Sequence, residues 1–128
     1  MKSIKLFTSV IAAFLLSSSV MAQDSLSDDW SPEERAKNLT EWMKIELGID
    51  TSLVETVHII NLKYAIKIEN LKMSHSGRVK KFRELRSLTS NKDRELKKVL
   101  TKDQFKVYEK KKEEMRINAK SKYQGNQF

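Results

Sequence analysis

The chain has 128 residues and a formal net charge of +8, with one proline, three glycines and no cysteine. The lack of cysteine excludes a disulfide scaffold, a thiolate metal site and a cysteine nucleophile. Glycine and proline are too few for the frequent turns of an all-β fold, and the three isolated glycines exclude a glycine-rich phosphate loop.

Residues 1–22 have the pattern of a secretory signal peptide. Lys2 and Lys5 precede an apolar stretch, Leu6–Leu16, and the segment ends in a small-residue cleavage site at Ala22. This stretch is shorter than the ~20 residues that a membrane-spanning helix needs. We therefore expect export to the periplasm, with cleavage after Ala22 and no stable membrane anchor; an uncleaved N-terminal anchor is the alternative.

Charge is unevenly distributed along the expected mature chain. Residues 23–77 contain six basic and ten acidic side chains, whereas residues 78–128 contain seventeen basic and seven acidic ones. An exported protein rarely meets nucleic acid, so we expect no nucleic-acid partner. The basic half instead predicts contacts with acidic protein surfaces, unfolded chains or anionic lipid.

The first predicted helix covers about residues 32–47 and follows a flexible acidic lead-in, residues 23–31. Ser31 and Glu34 have the spacing of a capping box, and apolar residues then recur with a period near 3.6. Gly48 is the expected end of this helix, because glycine is favoured just past a helix C-terminus.

The second predicted helix begins after Asp50 and runs without a breaker to about Ser74. Asp50 can cap it, and Ile49 can pack on Val54 as a hydrophobic staple. Additional apolar residues such as Ile59 widen the stripe of this helix, which indicates apolar neighbours on more than one side.

A third helical stretch, residues 78–99, follows a break at Ser74–Gly77. Its apolar stripe is interrupted between Thr89 and Glu95. The stretch is therefore either one helix with a solvent-exposed polar part or two helices separated by a kink.

The fourth predicted helix has the clearest start in the chain. Thr101 and Gln104 have the spacing of a capping box, and Leu100 can pack on Phe105 as a staple. We interpret Thr101 and Gln104 as capping residues rather than client contacts. The helix is expected to end near Ala119.

Leu100, Thr101 and Gln104 match the LTxxQ motif of the Spy/CpxP family of periplasmic chaperones and stress-response proteins. The chain also resembles this family in being small, exported, helical and basic, with the motif at the start of its last helix. The family carries two copies of the motif. The corresponding place here, Ile49-Asp50-Thr51-Ser52-Leu53, keeps the hydrophobic residue and the cap but has leucine instead of glutamine.

The resemblance covers most of residues 32–118 and implies an all-α fold of four helices, arranged as a curved hairpin-like cradle in an antiparallel homodimer. It implies a chaperone that binds unfolded or misfolded envelope proteins without ATP and limits their aggregation. A regulator of an envelope-stress sensor kinase and a metal-binding envelope stress protein remain alternatives. The expected organisation is a signal peptide, 1–22, a lead-in, 23–31, an LTxxQ-type domain, 32–119, and a flexible tail, 120–128.

The residues also predict a binding role independently of the resemblance. Long helices with broad apolar faces cannot hide all of them in a chain of this size, so some of this surface must meet a second subunit or a client. Phe82 lies among basic residues, which would attract acidic chains while the ring makes apolar contact. The predicted client-binding residues are Arg78, Lys80, Lys81, Phe82, Arg83 and Arg86.

Catalytic and metal-binding patterns are weak. His58 and His75, the only imidazoles, are 17 residues apart and match no strong zinc spacing. We find no Ser/His/Asp order, paired acid/base arrangement or cofactor motif that exceeds chance. We therefore expect no enzyme activity, no metal and no cofactor.

Overall fold

The computed structural model describes residues 30–125, which contain four α-helices. These are α1, Pro32–Glu46; α2, Thr51–Met73; α3, Arg78–Val99; and α4, Lys102–Gly125. No strand occurs between residues 30 and 125, so the all-α prediction is confirmed. No helix within this range is both long enough and apolar enough to span a bilayer. The predicted signal peptide and nearly all of the acidic lead-in lie outside the described residues.

Both ends of α1 are encoded locally, as predicted. The Ser31 backbone N–H donates to Glu34 Oε2 at 2.9 Å, and the Glu34 N–H donates to Ser31 Oγ at 3.2 Å. The hydrogen bond from the Ser31 backbone lowers the pKa of Glu34. At the other end, Gly48 has a φ of 61°, a left-handed conformation that glycine adopts without steric cost. The chain thus leaves α1 and enters α2 within a few residues.

A shared apolar core joins the four helices. Met43 of α1, Val57 of α2 and Leu96 of α3 are fully buried, and α1 and α3 both pack along α2. Ile49 is buried in this core, and Val54 packs against it, as expected for residues that staple the start of α2. The buried members of the core are Met43, Leu47, Ile49, Val57, Ile60, Tyr64, Leu96, Leu100, Phe105 and Tyr108.

Helix α3 is continuous, which decides between the two alternatives for residues 78–99. Its polar part is not simply exposed, however. Glu95 accepts hydrogen bonds from Lys63 Nζ at 2.5 Å and from the Tyr64 hydroxyl at 2.6 Å, both on α2. Asp93 accepts a hydrogen bond from the Tyr108 hydroxyl of α4 at 3.0 Å. The interruption in the apolar stripe is therefore where α3 binds its neighbours through polar groups.

Helix α4 starts with the predicted capping box. The Thr101 N–H donates to Gln104 Oε1 at 3.0 Å, and the Gln104 N–H donates to Thr101 Oγ1 at 3.2 Å. Gln104 Nε2 also donates to the carbonyl oxygens of Leu47 at 3.1 Å and Gly48 at 3.4 Å. One side chain therefore caps α4 and ties its start to the end of α1.

Helix α4 also ends later than predicted. It continues to Gly125, beyond the expected end near Ala119, so residues 120–125 belong to the helix rather than to a tail. No glycine or proline occurs between Lys102 and Gly125 to end the helix earlier. Ion pairs one turn apart, such as Arg116 with Glu113 at 2.5 Å, support a helix that has little core contact.

The substitution Gln104→Glu tests the tie between α4 and α1. Glutamate keeps the acceptor that caps α4 but removes the Nε2 donor and places a carboxylate beside two carbonyl oxygens. We expect the free energy of unfolding to fall by about 1 kcal/mol in urea titrations, the usual net value of one hydrogen bond. A stability equal to that of the unmodified chain would contradict this role. Thr101→Ala, which removes only the capping hydroxyl, is the matched comparison.

Candidate functional site

The two halves of α3 differ in how they are covered. Leu96 in the carboxyl-terminal half is fully buried, whereas three apolar side chains of the amino-terminal half are exposed: Val79 by 66%, Phe82 by 61% and Leu85 by 40%. They lie three residues apart, so they occupy successive turns of the helix. We call them, with Arg78, Lys80, Arg83 and Arg86, the Phe82 surface.

The structure places five of the six predicted client-binding residues on this surface. Arg78, Lys80, Phe82, Arg83 and Arg86 are all exposed. The sixth, Lys81, is half-buried, and its Nζ donates to the Lys72 carbonyl oxygen at 2.8 Å. Lys81 therefore belongs to the junction between α2 and α3.

The sequence does not predict Val79 and Leu85 as site residues, because their spacing is typical of the core stripe of an amphipathic helix. The signal that could have found them is their position among the same cations that surround Phe82. Their exposure makes the apolar part of the surface about 9 Å long, taking 1.5 Å per helical residue.

Positive charge on the Phe82 surface is largely uncompensated. Glu84 is the one acid among residues 78–86, and Lys80 Nζ lies 3.8 Å from its Oε1. Within the described part of the chain, Arg78 and Arg83 form no ion pair. The Arg86 guanidinium lies 5.9 Å from the centre of the Phe82 ring, within the range of a cation–π contact.

An open groove of about 510 Å³ lies between α2 and α3. Leu71 and Leu88 contribute apolar lining, and Lys80 and Glu84 line its α3 side. Because Lys80 and Glu84 each lie two residues from Phe82, they project from another side of α3, and the groove is not continuous with the Phe82 ring.

The carboxyl-terminal half of α3 holds the exposed half in place through polar contacts. Asp93 accepts from the Tyr108 hydroxyl and from Lys112 of α4. Burial raises the pKa of Tyr108, and burial also lowers the pKa of the half-buried Lys92 to about 8. The hydrogen bonds from Lys63 and Tyr64 lower the pKa of Glu95.

Tyr64 shares in this anchoring of α3. Burial, together with its hydrogen bond to Glu95, raises its pKa to about 12. Its hydroxyl is thus a stable donor to the Glu95 carboxylate throughout the neutral range.

His58 and His75 are not brought into a shared site. His58 Nδ1 lies 3.3 Å from Thr40 Oγ1, whose single proton is donated to the Ala36 carbonyl oxygen at 2.7 Å. His58 Nδ1 must therefore be the donor to Thr40. His75 is exposed between α2 and α3. Among residues 30–125, no group of three or more His, Asp or Glu side chains is placed to hold a metal ion.

A second apolar stripe lies on α2. Ile59, Ile66 and Met73 recur every seven residues and are exposed by 57%, 39% and 73%. They lie on the side of α2 away from its buried residues, such as Val57 and Tyr64. We call Ile59, Ile66 and Met73 the outer α2 stripe. Helices α1 and α3 both pack along α2, so α2 has neighbours on more than one side as predicted, but the outer α2 stripe remains exposed within the described residues.

A family model described as a domain of unknown function, DUF4890, matches residues 22–108. The match spans α1 to α3 and the first turns of α4, and it includes the whole Phe82 surface. No curated protein matches the chain, and no solved structure does. The resemblance to the Spy/CpxP family stays a prediction.

The pKa of Lys92 gives a pH-dependent test of the burial of the carboxyl-terminal half of α3. An unfolded lysine titrates near 10.5, whereas burial lowers the pKa of folded Lys92 to about 8. Between these values the unfolded chain binds more protons, so this residue's contribution makes stability rise with pH. We expect Lys92→Met to be more stable than the unmodified chain at pH 7, with an advantage that shrinks between pH 8 and 10.5.

Urea titrations at several pH values measure this difference, and the contributions of Tyr64 and Tyr108 are common to both proteins. Lys98→Met, at an exposed position of the same helix, is the control. If the stability advantage of Lys92→Met did not change with pH, burial would not be lowering the pKa of Lys92.

Proposed function

The chain belongs to the DUF4890 family, and we propose that it is an ATP-independent, chaperone-like protein of the periplasm that binds unfolded or misfolded envelope proteins and limits their aggregation. The observation that carries the proposal is the Phe82 surface, where exposed apolar side chains lie among uncompensated cations. Such exposed apolar patches mark interaction sites. The proposed activity needs no cofactor and no catalytic step.

The size of this surface supports weak and reversible binding. Covering the exposed parts of Val79, Phe82 and Leu85 contributes on the order of 1 kcal/mol for each side chain. The cost of association is at least as large as that sum, so binding is weak and also needs the contacts that the cations make. A client can therefore leave without nucleotide hydrolysis once it buries its own apolar residues.

Charge supports fast capture of clients. Residues 78–86 contain five basic side chains and one acidic one. Attraction of this kind raises the rate of encounter with acidic chains, and salt weakens it. A regulator that docks on one sensor kinase would use the same surface for a single partner, and the breadth of client binding separates the two functions.

We further propose that the protein is a homodimer in which the outer α2 stripe meets a second copy. Three exposed apolar side chains two turns apart form a straight seam, as in pairs of packed helices. Residues 55–73 contain two acidic and three basic side chains, so two copies of this face repel each other little. The Phe82 surface, with its strong positive charge, is the poorer self-partner.

Charge reversal tests the client-binding surface. In Lys80→Glu/Arg83→Glu/Arg86→Glu, the attraction for acidic chains becomes repulsion, while Lys81 keeps its bond to the Lys72 carbonyl. We expect light scattering from an aggregating acidic client to rise toward the level without chaperone. The unmodified chain should suppress scattering at equimolar ratio.

The matched control is Lys102→Glu/Lys106→Glu/Lys110→Glu, three exposed positions on α4 with the same change in net charge. It should suppress scattering as the unmodified chain does. Equal activity of both triple variants would refute the placement of the site, and no suppression by the unmodified chain would refute the function.

The substitution Ile59→Glu tests the proposed dimer. A carboxylate within the apolar seam must be desolvated on association, so we expect sedimentation analysis to show a monomer. Ile45→Glu, at an exposed isoleucine of α1, should leave the dimer intact. A monomeric unmodified chain, or a dimer that survives Ile59→Glu, would contradict this interface.

A further inference from the structure

The Phe82 surface contains one pair of side chains, Phe82 and Arg86, that can bind an apolar group and a carboxylate together. Arg86 lies one turn after Phe82 on α3, and its guanidinium approaches the Phe82 ring at 5.9 Å. Both side chains are exposed, and no acid pairs with Arg86 in the described part of the chain. A partner can thus reach the ring and the guanidinium at the same time.

The chemistry of the pair defines what fits it. A planar guanidinium binds a carboxylate through two parallel hydrogen bonds, which an ammonium group cannot do. Contact with the ring restricts the guanidinium to fewer orientations, so less freedom is lost when a carboxylate binds. The exposed ring, with Val79 and Leu85 nearby, offers an apolar contact beside that carboxylate.

Resting on the function proposed above, we propose that the Phe82–Arg86 pair selects client segments in which a carboxylate side chain stands next to an apolar side chain. The carboxylate pairs with Arg86, and the apolar side chain packs on the Phe82 ring and its apolar neighbours. Basic or purely apolar segments gain only one of these contacts. The pair thereby gives the chaperone a preference among unfolded chains.

A protein segment fits these observations better than an anionic membrane. The exposed apolar part spans about 9 Å along α3, or two turns, whereas a helix that lies in a lipid interface has a long apolar face. An extended peptide segment of about three residues is long enough to cover these two turns.

The test uses three labelled twelve-residue peptides that alternate Leu or Phe with Glu, Gln or Lys. Fluorescence anisotropy with the mature chain should show the Glu peptide binding at least tenfold more tightly than the Lys peptide. The decisive variant is Arg86→Lys, which keeps the charge but loses the planar group. We expect it to weaken the Glu peptide about fivefold and to leave the Gln peptide unchanged.

Arg94→Lys makes the same exchange at an exposed position of α3 outside the surface and should change neither affinity. Phe82→Leu keeps an apolar group but removes the ring, and its effect on the Glu peptide should overlap with that of Arg86→Lys. The double variant should therefore lose less affinity than the product of the two single losses. Unfolding midpoints are measured for all variants to check that the fold is intact.

The outcomes separate this inference from the function on which it rests. If Arg86→Lys binds the Glu peptide as the unmodified chain does while aggregation is still suppressed, the selectivity is overturned and the chaperone function stands. If aggregation is not suppressed and no peptide binds, the function itself fails. Tighter binding to phosphatidylglycerol vesicles than to the Glu peptide would overturn the inference in favour of a lipid surface.

Discussion

The attachment of α3 at its carboxyl-terminal half is the constraint on which the rest of the structure depends. Leu96 is fully buried in the core, while Glu95 binds Lys63 and Tyr64 of α2 and Asp93 binds Tyr108 of α4. Burial of a leucine contributes about 1.5–3 kcal/mol, and the polar contacts fix the rotation of the helix. Because α4 contacts this half through Asp93, the face that carries Phe82 stays open about two to four turns earlier on the same helix.

The local features of the fold could be read from the sequence, and the long-range ones could not. The capping boxes at Ser31 and Thr101 join residues three positions apart, so their pattern alone specifies the hydrogen bonds. The bonds of Glu95 to Tyr64 and of Gln104 to Leu47 join residues 31 and 57 positions apart. Nothing in a local pattern indicates such partners. The sequence therefore predicted only that the polar part of α3 is either exposed or the site of a kink.

The candidate site shows the same limit at the level of side chains. Phe82 was identified because an apolar residue among cations is unusual, and that signal is local. Val79 and Leu85 have the spacing of core residues, as Leu96 does, and periodicity cannot say which part of a stripe another helix covers. The same ambiguity applies to Ile59 on α2: the broad stripe predicted neighbours on more than one side, and α1 and α3 supply them, but periodicity could not show that Ile59 stays exposed.

The two exposed apolar areas differ mainly in charge, and that difference is the reason for proposing different partners for them. Around the outer α2 stripe, acids and bases nearly balance, so a second copy can approach without strong repulsion. Residues 78–86 contain five cations and one acid, so two copies of this segment repel each other and an acidic chain is attracted. In the function proposed above, this positive charge disfavours self-association of the apolar surface and leaves it open to a client that carries carboxylates.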